Sequence, residues 1–199
     1  MNAFGIRLAA GLFAASLMVG PTALAGQASP LVIEMHGGTA VPVSSFATGT
    51  AAGEGTDAME SFGLAFAVSG AGRRTVYVGF SEHRFGCEAA GCAPGDRYVA
   101  TGFDLGLRIN LRTTGSVVPW LRLGALTTRV DVPAIPNDRA GVSALGFGGE
   151  AGIGLYIGAS SPVALVPGIR LAAVNTELPG GSLLRMRYVV VDVALSLAF

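Results

Sequence analysis

The sequence predicts an all-β fold, an eight-stranded antiparallel up-and-down transmembrane β-barrel, and three observations predict it. Apolar residues alternate with small or polar ones, with a period of two, over eight successive segments. The connections between those segments alternate between short and long. The last segment, Val191–Phe199, carries large apolar side chains at every odd position and ends on an aromatic residue. A frayed soluble strand buries little at its end, whereas a strand that faces lipid uses the whole row and places an aromatic residue at the membrane interface.

The elements follow in order. Residues 1–25 read as a cleaved signal peptide. Arg7 supplies the positive start, Leu8–Val19 the apolar stretch, and Ala23 and Ala25 the small-x-small cleavage site. That apolar run is short against the roughly 20 residues of a spanning helix. Residues 26–199 then form the barrel domain. Its strands are expected at Leu31–Val41, Ser61–Ser69, Arg74–His83, Arg97–Leu111, Val117–Val130, Gly146–Gly158, Val163–Val174 and Arg187–Phe199, most of them near the ~9–11 residues that cross a bilayer at a tilt. Gly70–Arg73, Arg112–Ser116 and Ala159–Pro162 are short turns, while the connections around 42–60, 84–96, 131–145 and 175–186 are longer. By the usual asymmetry of such barrels the short ones are periplasmic.

Composition agrees. The chain is 51% hydrophobic and 13% charged, with 30 glycines, and no apolar run beyond the signal approaches a spanning helix. Removing Arg7 with the signal takes the formal net charge from zero to −1 (0 − 1), so no basic surface points to nucleic acid. In the fourth strand Val99, Thr101, Phe103, Leu105, Leu107, Ile109 and Leu111 form one row, and Tyr98, Ala100, Gly102, Asp104, Gly106, Arg108 and Asn110 the other. A soluble sandwich would bury the first row; a membrane barrel turns it outward. Pro119 sits beside a turn, but Pro167 lies deeper and is expected to cost a ladder bond or mark a bulge. Inward glycines are expected to make room for large neighbours, because eight strands enclose a lumen only as wide as side chains can fill.

The expected lumen network is Glu34, Asp104, Arg108, Arg122, Glu150, Arg170 and Asp192, with His36 as a satisfied lumen histidine. Opposed residues in a hairpin have nearly constant index sums. On that basis Glu150 faces Arg170, Arg170 faces Asp192, and Arg108 lies beside Arg122 with Asp104 as the compensating charge. Such charges must be paired to be tolerated away from water. A cross-linked polar plug suits a narrow barrel better than a gated water path, and nothing but sign supports an acid/base pair.

Cys87 and Cys92, the two cysteines of the chain, are expected to form a disulfide that stiffens the second long loop. Zinc would want four ligands, and only His83 is near in sequence. Ser81 and His83 share one strand face, a weak signal for a nucleophile and base. The chain has no phosphate loop, nucleotide fingerprint or internal repeat, and no cofactor or metal is expected.

The terminal Val191–Phe199 strand, the Gly/aromatic alternation of Gly146–Gly158, the Pro119–Gly124 segment and the alternating turn lengths together resemble the small eight-stranded outer-membrane β-barrels of the OmpA, OmpX and opacity type. The resemblance covers residues 26–199. It implies residence in the bacterial outer membrane, contact with outer-membrane lipid, a monomer, and insertion by the barrel assembly machinery through a signal formed by Val193, Leu195, Leu197 and Phe199. It also implies a role between envelope integrity and surface adhesion, although loops rich in Gly, Ala, Ser and Thr show no adhesive aromatic patch. No peptidoglycan-binding domain is expected after the barrel. Some barrels of this kind are lipid A deacylases, but Ser81 and His83 stand in the reverse order to theirs and face the lumen. The expected function is therefore a non-enzymatic structural or surface-interaction barrel with a polar plugged lumen. A narrow porin-like channel is the alternative and a lipid A-modifying enzyme the more distant one; a surface partner is not identified by the sequence.

Overall fold

A computed structural model describes residues 31–43, 46–48, 51–52, 56–70, 73–87, 92–133, 141–178 and 180–199. The expected signal peptide and its cleavage site lie outside the described residues. Eight long strands account for most of the chain: β1 (Leu31–Pro42), β2 (Thr56–Ser69), β3 (Arg74–Cys87), β4 (Arg97–Asn110), β5 (Val117–Val132), β6 (Gly146–Ile157), β7 (Val163–Glu177) and β8 (Leu183–Ala198). Each pairs antiparallel with its sequence neighbours, and β1 pairs with β8 from Val32↔Ala198 to Pro42↔Tyr188, which closes the sheet into a barrel. Closure leaves no free edge among the long strands, as a sheet without water around it requires. Three two-residue strands, Ala47–Thr48, Ala51–Ala52 and Gly141–Val142, extend the wall locally at the long-loop end.

All eight strands fall where the alternation predicts them, but several run further at one end. β2 starts at Thr56 rather than Ser61, β3 continues to Cys87 rather than His83, β7 to Glu177 rather than Val174, and β8 starts at Leu183 rather than Arg187. Every one of these extensions lies toward a long loop. The inward residues there, among them Phe85, Leu184 and Met186, are fully buried and pack on one another, so the hairpins keep a core of their own above the central lumen. Between Ala58 and Ser61 the β2–β3 register shifts by one residue, a bulge at the same level.

The two faces separate as a lipid-spanning sheet requires. Phe103, Leu123 and Phe147 are each more than 60% exposed, and they belong to rows that continue on every strand, such as Val76, Val78 and Phe80 on β3 and Val191, Val193 and Leu195 on β8. Transferring such rows from water to lipid drives insertion, at roughly 25 cal/mol per Å² of apolar surface. Pro167 does not make a bulge. Its register with β6 is the same on both sides, Leu165↔Ile157 and Gly168↔Gly154, and the ladder simply lapses between them where the imino acid has no N–H to donate. Gly158 closes the β6–β7 turn with φ 88°, a region open to glycine at little cost.

Candidate functional site

The lumen is the site, and it is layered. At the short-turn end Val32, Ala67 and Tyr77 form one small apolar cluster, and Trp120, Val166 and Ala194 another. Glycines shape this layer. A Cβ on Gly168 would lie 2.9 Å from the Trp120 ring, and one on Gly106 would collide with the Tyr77 hydroxyl. Large lumen residues are thus matched by residues with no side chain, as the narrow interior predicts.

The middle layer holds the predicted charges, and the structure joins them into one continuous chain. Arg108 makes two parallel bonds to Glu34, at 2.8 and 2.9 Å, and Tyr156 donates to the same carboxylate at 2.6 Å. His36 lies between Glu34, at 3.6 Å, and Asp192, at 3.2 Å. Asp192 accepts from Arg170 at 2.6 Å, and Arg170 reaches Glu150 at 3.4 Å. Glu150 in turn accepts from Arg122 Nε at 2.6 Å and from Tyr77 at 2.8 Å, and Arg122 closes on Asp104. Aromatic faces line the cations: Arg122 stands 3.8 Å from the Tyr77 ring centre and Arg108 4.7 Å from that of Tyr156. All seven charged residues are buried. Four carboxylates and three guanidiniums leave one negative charge (4 − 3), and His36 is the imidazole that bridges two of those carboxylates.

The hairpin sums place some of these pairs and misplace others. Arg108 and Arg122 are register partners, as predicted. They do not share Asp104: Arg122 takes it, while Arg108 turns across the lumen to Glu34 on β1, a strand not adjacent to its own. Glu150 faces Ala172 rather than Arg170, and Gly168 rather than Arg170 faces Asp192, a slip of two in each hairpin. The ion pairs survive because an arginine side chain spans the diagonal.

The upper layer was not anticipated. Toward the long loops the lumen turns apolar, with Phe46, Phe85, Tyr98, Val130, Leu184, Met186 and Tyr188 buried together. Phe46 enters from the loop after β1 and stands edge-on to Phe85 and Tyr98, with ring centres 4.9 and 5.7 Å away. The signal for this cap was the inward parity of Phe85, Leu184 and Met186, which lay beyond the predicted strand ends; Phe46 lies in a loop, where parity has no meaning. Between the charges and the cap, His83 bonds Ser61 at 2.7 Å and packs on Tyr188. Ser61, not Ser81, is therefore the partner of His83. The gap beside them, lined by Ser81, Asp104, Glu150 and Arg170, measures about 10 Å³, room for about one water-sized sphere. Cys87 and Cys92 are joined by the predicted disulfide at the top of β3.

Outside, above the apolar rows of β2 and β3, Arg84 pairs with Glu60 at 2.8 Å and Glu82 at 2.7 Å.

A closed eight-stranded barrel with an apolar outer wall and a filled interior, charged at its middle, defines a small outer-membrane β-barrel protein. Solved structures of that class share the fold. Neisserial surface protein A aligns over 85% of this chain and 97% of its own, with a TM-score of 0.61 and 12% identity. OprG of Pseudomonas aeruginosa aligns over 87% of this chain and 97% of its own, with a TM-score of 0.59 and 14% identity. The N-terminal β-barrel domain of OprF from the same organism aligns over 87% and 100%, with a TM-score of 0.50 and 12% identity. At these identities the likeness is one of fold. No family model matches the chain, and no curated protein does.

Proposed function

We propose that this outer-membrane barrel is a non-enzymatic structural or surface-interaction protein whose lumen does not conduct. The observation that carries the reading is the continuous filling of the lumen: an apolar floor, a fully linked chain of charges, and an aromatic cap. Water crosses a pore only along a connected path, and both the salt-bridge chain and the cap lie across it. A deacylase reading finds no support in His83, which is buried in the lumen, bonded to Ser61 and out of reach of a lipid outside the wall. The proposal includes a signal peptide cleaved after Ala25, a monomer, and recognition of the outward row Val193, Leu195, Leu197 and Phe199 by the barrel assembly machinery.

The first test is heat-modifiable migration of the protein extracted from purified outer membranes. A closed barrel resists detergent until boiled, so migration should shift on heating. Recovery in the soluble periplasm with no shift would overturn the reading. Activity is tested separately, by the absence of lipid A deacylation with the intact protein and by bilayer recording.

A further inference from the structure

The outer wall is not uniform, and the difference points to a bound lipid. On the β2–β3 side the one arginine above the apolar rows, Arg84, is neutralised by Glu60 and Glu82. On β8 the outward row Leu197, Leu195, Val193, Val191 and Val189 continues directly into Arg187 and Arg185. Both arginines are exposed, and although their backbones join the ladders on either side, neither guanidinium forms an ion pair or hydrogen bond with a described residue. They lie at the long-loop end of the rows, the level of the outer leaflet's headgroups. Beside them β7 turns Asn175 outward, in register with Arg185, and Ala173 outward, in register with Arg187.

The wall next to these cations is recessed. Across β7, β6 and β5 the outward positions level with Arg187 are Ala173, Gly149 and Ala125. One step further from the loops Ala151 stands between Leu123 and Leu171. Here the surface sinks into a groove of about 410 Å³ lined by Leu107, Leu121, Leu123, Ala151, Ile153 and Leu171. Apart from Arg122, whose guanidinium is engaged with Glu150 and Asp104, the lining is apolar, and such a groove on a lipid-facing wall suits an acyl chain. Two guanidiniums without a partner among the described residues, and an amide at its headgroup end, suit phosphate, which arginine binds in bidentate geometry. The acids on the same wall, Glu177 and Asp131, pair with neither arginine.

We propose that the β5–β8 wall is a binding site for the phosphorylated glycolipid of the outer leaflet, with an acyl chain in the Ala151 groove and a phosphate on Arg185 and Arg187. The proposal rests on the outer-membrane reading above. Charge complementarity selects this occupant over a second copy of the chain, whose matching wall would bring the same cations together.

The test is native mass spectrometry of the full-length protein in phosphatidylcholine nanodiscs doped with bisphosphorylated lipid A. The native barrel should retain lipid A, and Arg185→Gln/Arg187→Gln should lower retention by about tenfold or more, given the usual contribution of each basic residue at an anionic lipid surface. Arg84→Gln should leave retention unchanged. Ala151→Phe, which fills the groove and leaves both arginines, should also lower it, and serves if the double variant does not fold. Undiminished retention in both variants overturns the site, and equal retention of phosphatidylglycerol overturns the assignment to a glycolipid. Failure of the native barrel to show heat-modifiable migration would instead overturn the membrane reading itself.

Discussion

Midway through the barrel the inward positions carry charge, and toward the long loops the same inward parity carries aromatic and aliphatic side chains. Glu34, Arg108, Arg122 and Glu150 lie in the first region and Phe85, Leu184, Met186 and Tyr188 in the second. Both regions are buried and both close the lumen, but they are held together differently. In the charged layer each group depends on specific partners, so deleting one strands the others in a medium of low dielectric. In the apolar cap contacts are many and individually weak, so deleting one side chain leaves a void its neighbours can partly fill. The difference teaches that the charged layer fixes which strand faces which across the lumen, while the cap holds the mouth shut.

The largest expected effect comes from Arg122→Ala, which abandons Asp104, Glu150 and the Tyr77 ring together. It should cost about 4 kcal/mol or more, read as a lower urea midpoint for heat-modifiable migration. Phe46→Ala should cost about 3 kcal/mol and raise protease cleavage in the loop after β1, because Phe46 anchors that loop to the cap. In a double-mutant cycle the two losses should add, with no coupling, as expected for layers that act independently. Gly168→Val should cost about 2 kcal/mol by driving the Trp120 ring from its place, visible as a change in tryptophan emission. Smallest of all is Arg84→Gln. Its ion pairs are as short as the buried ones, yet they stand in water, where screening removes most of their worth, and no change in the urea midpoint is expected. A large loss there would erase the contrast between buried and exposed pairs.

The eight strands were legible because lipid leaves the outward rows almost no freedom: Phe103 to Ile109 or Val191 to Leu197 cannot be polar without cost. The inward charges were legible by parity from the same rows. Their pairing was legible only within tight hairpins, as for Arg108 and Arg122, and even there slipped by two across the turns at 158–162 and 178–182. Glu34–Arg108, Tyr156–Glu34 and Tyr77–Glu150 were out of reach, because they join strands that are not neighbours and depend on the curvature of the closed sheet. The cap was missed for a simpler reason. Its strands run past the membrane rows, where outward positions such as Glu82, Arg84, Arg185 and Arg187 no longer mark the period with apolar side chains.

The most direct test of the central claim, a lumen sealed by two unlike layers, is single-channel recording of the purified, refolded protein in planar bilayers beside Arg170→Ala and Arg170→Ala/Phe46→Ala. The native barrel should be silent, Arg170→Ala should be silent because the cap still seals the mouth, and openings should come only when both layers are breached. Stable openings of the native protein that change with Arg170→Ala alone would contradict that claim and make the charged chain the gate of a pore.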